Sequence, residues 1–175
     1  MELVAGHGYR QVGFHATFAG PADLPRQPSS VEVRHVAAEV DLARFSDVYH
    51  TGWANTGPRV PMLPWLATPG WSLYLGFCEG EPAGAAILYV GNGIAYLADS
   101  AVDPKWRRRG VHRALLDARC TDAAAFGCTE IYSSADYLSG SCRNMLRKGL
   151  SLLMTKSLWR ASVRSAQVSP PRQRP

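Results

Sequence analysis

Apolar residues alternate with polar ones at Val12, Phe14, Ala16 and Phe18, a period of two that predicts a strand near the N-terminus. Residues 31–36 predict another strand, and 40–49 a short helix. A meander follows: strands over 71–78 and 83–90 joined by the turn Glu79-Gly80-Glu81, then Asn92-Gly93 and a strand over 94–102. An Ala/Leu-rich helix is predicted over 111–126, with Gly127 placed to end it. Strand 130–134, helix 139–148 and strand 152–160 complete the pattern. That succession implies an α/β protein with a mixed sheet in one layered domain.

Three stretches break the periodicity. Residues 21–30 carry Pro21, Pro25 and Pro28 between polar spacers and read as a linker, so 1–30 stands apart from a compact domain over 31–160. Residues 52–70 hold Trp53, Pro58, Pro61, Met62, Pro64, Trp65 and Pro69, too apolar for a disordered linker. They read either as a partly ordered hydrophobic lid or as a cap on the sheet. The polar, Pro/Arg-rich tail over 161–175 has too little apolar surface to offset its ordering entropy and reads as disordered.

A chain of 175 residues, 46% hydrophobic and 19% charged, is the size and composition of one globular domain. No run reaches the ~20 apolar residues of a membrane span. The first residues lack the basic start and apolar stretch of a secretory signal. The four cysteines (Cys78, Cys120, Cys128 and Cys142) form no CxxC or zinc spacing. Reduced thiols in a cytoplasmic protein, with no metal site, are therefore expected.

The net charge of +5 is unevenly spread, because Lys105, Arg107, Arg108, Arg109 and Arg113 crowd into nine residues without an acid. Pro104 ends the preceding strand, and the loop turns on Gly110 directly into a helix. Unpaired N–H groups and the positive macrodipole end of that helix, with a residue lacking a side chain before it, suit phosphate. A solvated basic loop is the plain alternative. A nucleic-acid partner is disfavoured, since no zinc-finger, helix-turn-helix or RNP-like pattern accompanies the cluster.

The run VDPKWRRRGVHRALL (102–116) resembles the signature of the GNAT acyltransferases, R/Q-x-x-G-x-G/A between a strand and a helix. Arg107 takes the first position, Gly110 the first glycine, and His112 stands where the family has glycine or alanine. Asn144, with Gly149-Leu150, resembles the family's late N-x-x-x-x-G-F element. The resemblance implies a single mixed, mostly antiparallel sheet flanked by helices and an acyl-CoA co-substrate, with acetyl-CoA as the donor. It implies donor contacts from Ala101, Val102, Arg107, Arg108, Arg109, Gly110, Val111, His112, Arg113 and Asn144. It also implies an amine acceptor, on a small molecule or a protein, and N-acetyltransferase activity. A module that binds acyl-CoA or a protein partner without turnover is the alternative.

Acyl transfer calls for a base near the amine and a donor near the leaving sulfur. Many relatives have a tyrosine as that donor where this chain has Met145. The substitute candidates are Asp99, Tyr96 on the opposite face of the same strand by alternation, and Asp136 and Tyr137 at the end of the next strand. Tyr132 lies on that strand too, and core packing is the ordinary role for each of these aromatics. A nucleophilic Cys142 would need a base that nothing in the sequence pairs with it. Gly8-Tyr9-Arg10 resembles the family's closing element, so the first strand reads as the remnant of a preceding domain or as a segment packed on a second subunit, as in a homodimer.

Overall fold

The computed structural model describes residues 2–54, 58–59 and 61–161. The elements in order are α1 (Glu2–Gly6), β1 (Tyr9–Pro21), β2 (Glu32–His35), α2 (Glu39–Gly52), α3 (Leu63–Ala67), β3 (Trp71–Cys78), β4 (Glu81–Gly91), β5 (Ile94–Val102), α4 (Val111–Ala125), β6 (Glu130–Asp136), α5 (Gly140–Lys148) and β7 (Ser151–Ala161). All seven strands join one sheet in the order β2-β3-β4-β5-β6-β1-β7. Among the described residues only β5 and β6 run parallel, as expected for two strands joined by the helical crossover α4.

The sheet is covered on both faces. Under α4, Leu88, Leu97, Leu115, Leu116, Ile131 and Phe18 form one fully buried core. Under α2 and α3, Phe45, Leu73, Leu75, Ala85 and Ile87 form the other, with Met62 buried and Trp65 packed at its margin. The alternation in β3 and β4 is weak because both faces are dry, which is why those strands read as near-continuous apolar runs. Part of 52–70 is thus a cap on the second core, with Pro64 in the first turn of α3, where a missing N–H costs nothing. Residues 55–57 and 60 of that stretch lie outside the described residues.

The sheet draws no boundary at residue 30. β1 is an interior strand, antiparallel to β6 over His15–Pro21 and to β7 over almost its whole length. The segment after it crosses the α4–α5 face to reach β2 at the far edge, and it is pinned there. Lys148 Nζ donates to the Pro25 carbonyl at 2.8 Å and to Asp117 Oδ1 at 2.5 Å, with both charged side chains buried. Asp117 Oδ2 accepts from the Gln27 N–H at 3.3 Å, and Arg113 donates to the Gln27 side chain and the Pro28 carbonyl. The expected linker is therefore a strap held by a buried ion pair. Of the expected tail, Ala161 ends β7 opposite Tyr9, and 162–175 lie outside the described residues.

One irregularity shapes the rest. Ala86 pairs with Ser100 and Leu88 with Leu97, so Ala98 and Asp99 together face Ile87 in a β-bulge. The carbonyls thrown off the ladder are taken by Arg119, which is fully buried on α4: its Nη1 donates to Ile87 O at 3.1 Å and Ala98 O at 3.3 Å. Burial pulls this guanidinium down to about 10, the nearby Asp99 charge opposing it only in part. Beyond the bulge β5 leaves β6. Pairing between them stops at Leu97 and Ser133, after which β5 keeps only β4 and β6 keeps only β1.

Candidate active site

The wedge opened by that separation runs into a cleft of about 1070 Å³ between the end of β5, the loop after it, α4 and α5. Local sequence builds its rim. Asp103 caps the turn Pro104–Trp106 by accepting from the Lys105 N–H at 2.8 Å, and Trp106 buries its ring as the loop's anchor. Gly110 adopts φ 82°, ψ 0°, a left-handed conformation that costs other residues about 1–2 kcal/mol. The first helical bond of α4 runs from the Ala114 N–H to the Gly110 carbonyl, so the N–H groups before it have no helix partner. A Cβ at Gly110 would meet only Arg113 Nη2, at 3.7 Å: the space over this turn is open.

All ten residues expected to contact the donor line this one cleft. Their charges are deployed differently from a simple cation cluster, however. Arg107 donates to Gly52 O and Val102 O, stapling the end of α2 to the end of β5. That join is close, since a Cβ at Gly52 would sit 2.8 Å from Ala101 Cβ and 2.9 Å from Val102 N. Arg109 pairs with Glu79, and Arg113 holds the strap. Arg108 carries no such bond among the described residues, and Arg143 and Arg147 join the lining from α5. Gln27 and Asp117 line it too, so the strap forms part of the wall.

The far side has features that the sequence reading missed. Ser100 Oγ, on β5, is a buried hydroxyl in the cleft wall with no hydrogen-bond partner among the described residues. An orphaned hydroxyl costs about 1–3 kcal/mol and is relieved by a ligand bearing amide groups. Together with the open cradle at Gly110 it fits the phosphates and amide arm of an acyl-CoA. His112 bridges the two helices that frame the cleft, with Nε2 2.9 Å from Ser141 Oγ and Nδ1 3.2 Å from Asn144 Nδ2. Its packing between them and the nearby Arg119 charge push the imidazole down from 6.5 to about 4.

That depression makes a pH prediction. The unfolded chain takes up a proton at His112 between about pH 6.5 and 4 and the folded chain does not, so the stabilisation is present above 6.5 and is lost as pH falls toward 4. Denaturant titrations should show about 2 kcal/mol of this contribution gone by pH 5, and His112→Gln should flatten the slope. An unchanged slope in that variant would mean that His112 titrates normally.

The catalytic candidates separate into two places. Asp99 accepts a hydrogen bond from Tyr49 OH of α2 at 2.5 Å, on the face carrying the second core. Burial and that carboxylate raise the Tyr49 phenol well above its ordinary range, so it stays neutral. Tyr96 shares this face, against the expected alternation, because the bulge puts Ala98 and Asp99 on the same side and resets the period. Tyr96 OH lies 3.3 Å from Ser134 Oγ, and neither Tyr96 nor Asp99 is among the residues lining the main cleft. Asp136 and Tyr137 instead line a smaller hollow with Arg10, Phe14 and Arg160, apart from the main cleft. Tyr132 hydrogen-bonds Glu130 on the surface. Met145 is buried in the core under α4 and is not part of the cleft lining. All four cysteines are free and buried, and no metal-binding group of three His, Cys, Asp or Glu occurs among the described residues.

Comparison with known proteins adds to this geometry. The sequence profile of the acetyltransferase (GNAT) family matches residues 40–145. No curated protein sequence matches the chain. Among solved structures it superposes on a GCN5-related N-acetyltransferase from Sphaerobacter thermophilus with TM-score 0.73 and 21% identity, over 90% of this chain and 54% of that one. A GCN5-related N-acetyltransferase from Kribbella flavida gives TM-score 0.63 and 17% identity, over 90% of this chain and 60% of the other. The chain thus spans little more than half the length of either. An aminoglycoside acetyltransferase from an uncultured soil metagenomic sample, in complex with sisomicin, gives 0.57 and 20%, over 67% of this chain and 85% of the other. At these identities the likeness is one of fold.

Proposed function

The chain belongs to the acetyltransferase (GNAT) family, and from that premise we propose that it is an N-acetyltransferase carrying the acetyl group of acetyl-CoA to a primary amine. The observation that supports this reading most is the coincidence of three things in one cleft: unpaired N–H groups at the start of α4, the open cradle at Gly110, and the exposed edge of β5. In this reading the loop and α4 hold the diphosphate, Ser100, Ala101 and Val102 meet the amide arm, and the thioester lies in the wedge.

The acceptor then comes from the α2 side, past Trp53 and Tyr96, to meet Asp99. The donor supplies an electrophilic thioester carbon. As the amine nitrogen attacks it, Asp99 takes the proton that the nitrogen must lose, directly or through one water. Tyr49, a neutral phenol, fixes one carboxylate oxygen and leaves the other for that task. The acceptor is a small molecule or a protein amine. The soil aminoglycoside enzyme makes multiply aminated small molecules a sensible first set.

Thiol release measured across such an amine panel tests the proposal. Asp99→Asn should lower kcat by about 10²–10³-fold while leaving CoA affinity intact, because its proton matters only during bond formation. Equal kcat in a folded Asp99→Asn protein would remove Asp99 from the chemistry. A second reading, binding of acyl-CoA or a protein partner without turnover, draws on the core position of Met145, which leaves the family's usual acid position without a donor. Saturable CoA binding with no release for any amine would favour it.

A further inference from the structure

Three polar side chains in the cleft form a hydrogen-bonded chain to which the proposed reaction has so far given no role. Asn144 and Ser141 lie on α5 and His112 on α4, in the order Asn144 Nδ2, His112 Nδ1, His112 Nε2, Ser141 Oγ. The direction of the chain follows from donor chemistry. An amide nitrogen can only donate, so Nδ1 accepts and the ring hydrogen of the neutral imidazole sits on Nε2. Nε2–H then donates to Ser141 Oγ, which leaves the serine's own hydrogen free. All three residues line the cleft, so that hydrogen has the cleft to turn to. Each bond in such a chain polarises the next, which makes the terminal hydroxyl a stronger donor than an isolated serine.

Building on the acyl-CoA reading, we propose that Ser141, oriented by His112 and Asn144, donates a hydrogen bond to the sulfur of the departing thiolate. The amine nitrogen bonds to the thioester carbon, the C–S bond breaks, and its electron pair leaves on sulfur. The amine's proton goes to Asp99, and Ser141 keeps its own proton while sharing it with the sulfur. No alkoxide forms, so the weak acidity of serine is no obstacle. His112 acts as a positioning residue. This gives a reason for a bulky ring at the second small position of the loop motif, and for the loss of the usual phenol at Met145, whose side chain is buried in the core. The cations that line the cleft, Arg108, Arg143 and Arg147 among them, favour a thiolate through their field in any case and stay constant across the variants below.

The test reads the sulfur itself. CoA bound to the protein is titrated by thiolate ultraviolet absorbance in the wild type, Ser141→Ala, Ser141→Thr and His112→Ala, with calorimetry confirming occupancy. The bound thiol should ionise below its free value in the wild type. Ser141→Ala should raise that pKa by about one to two pH units, the size of one charge-assisted hydrogen bond. Ser141→Thr, which keeps the hydroxyl, should restore it, and His112→Ala should fall between. In the ligand-free protein, nitrogen-15 NMR should find His112 protonated on Nε2. An unaltered thiol pKa in Ser141→Ala, or a proton on Nδ1, would overturn the assignment while leaving the CoA reading standing. Absence of CoA binding to the wild type would overturn both.

Discussion

Gly110→Asp should cost at least about a hundredfold in CoA affinity. The turn at Gly110 is left-handed, and an aspartate tolerates that conformation better than most residues, so the protein should fold. Its carboxylate would enter the open space above the first turn of α4, where the proposed diphosphate lies. Two losses then add. Like charges meet at short range in a partly enclosed cleft, and the new acid competes for Arg113, whose Nη2 would lie 3.7 Å from the added Cβ. About 3 kcal/mol from these sources corresponds to a little over a hundredfold. Gly110→Ala separates the causes, since it keeps the strain, adds no charge and meets nothing closer. Calorimetry should find only a small loss there. Undiminished CoA affinity in a folded Gly110→Asp protein would remove the loop from the donor site.

The second large effect is on stability. Lys148→Ala should destabilise the fold by about 3–5 kcal/mol, because it strands the Asp117 carboxylate in a site where both side chains are almost wholly buried. The carbonyls of Leu24 and Pro25 lose their donor at the same time, and the strap loses an anchor. For a domain of this size that means a fall in Tm of roughly 10 °C or more. Replacing both partners, Lys148→Met with Asp117→Leu, removes the orphaned charge and should recover most of the loss. Urea titrations of the single and double variants decide the matter. A Lys148→Ala protein as stable as the wild type would show that the strap holds without the pair.

Much of this architecture was legible because the periodic signals were strong. The strand over 94–102 and the helix start at 111 follow from the Pro104 and Gly110 punctuation and agree with β5 and α4 to the residue. The conformation of the loop proposed to hold the donor was legible for the same reason: a strand, a cation-rich turn, one glycine and a helix leave little freedom. The misreadings have physical causes too. Prolines at 21, 25 and 28 signal irregular backbone, but cannot reveal that Lys148 and Asp117, distant in sequence, hold it down. Arg119, in an Ala/Leu-rich helix, carries no signal of its own in the sequence, because its partners are carbonyls released by a bulge. That bulge is invisible to a period-two count, so Tyr96 and Asp99 were placed on opposite faces. The Asn144–His112–Ser141 chain depends on the packing of two helices, which no spacing within either one encodes.

The proposed activity rests on acyl-CoA binding in the cleft between β5, α4 and α5. Hydrogen–deuterium exchange with and without CoA tests it most directly, because it reports where on the chain the ligand sits. Protection should be confined to residues 98–116 and 138–148, with the strap around Gln27 slowed as the wall closes, and should need at least about a hundredfold more CoA in Gly110→Asp. Protection centred instead on the hollow of Arg10, Asp136, Tyr137 and Arg160, or no protection at a CoA concentration that calorimetry shows to be saturating, would contradict it.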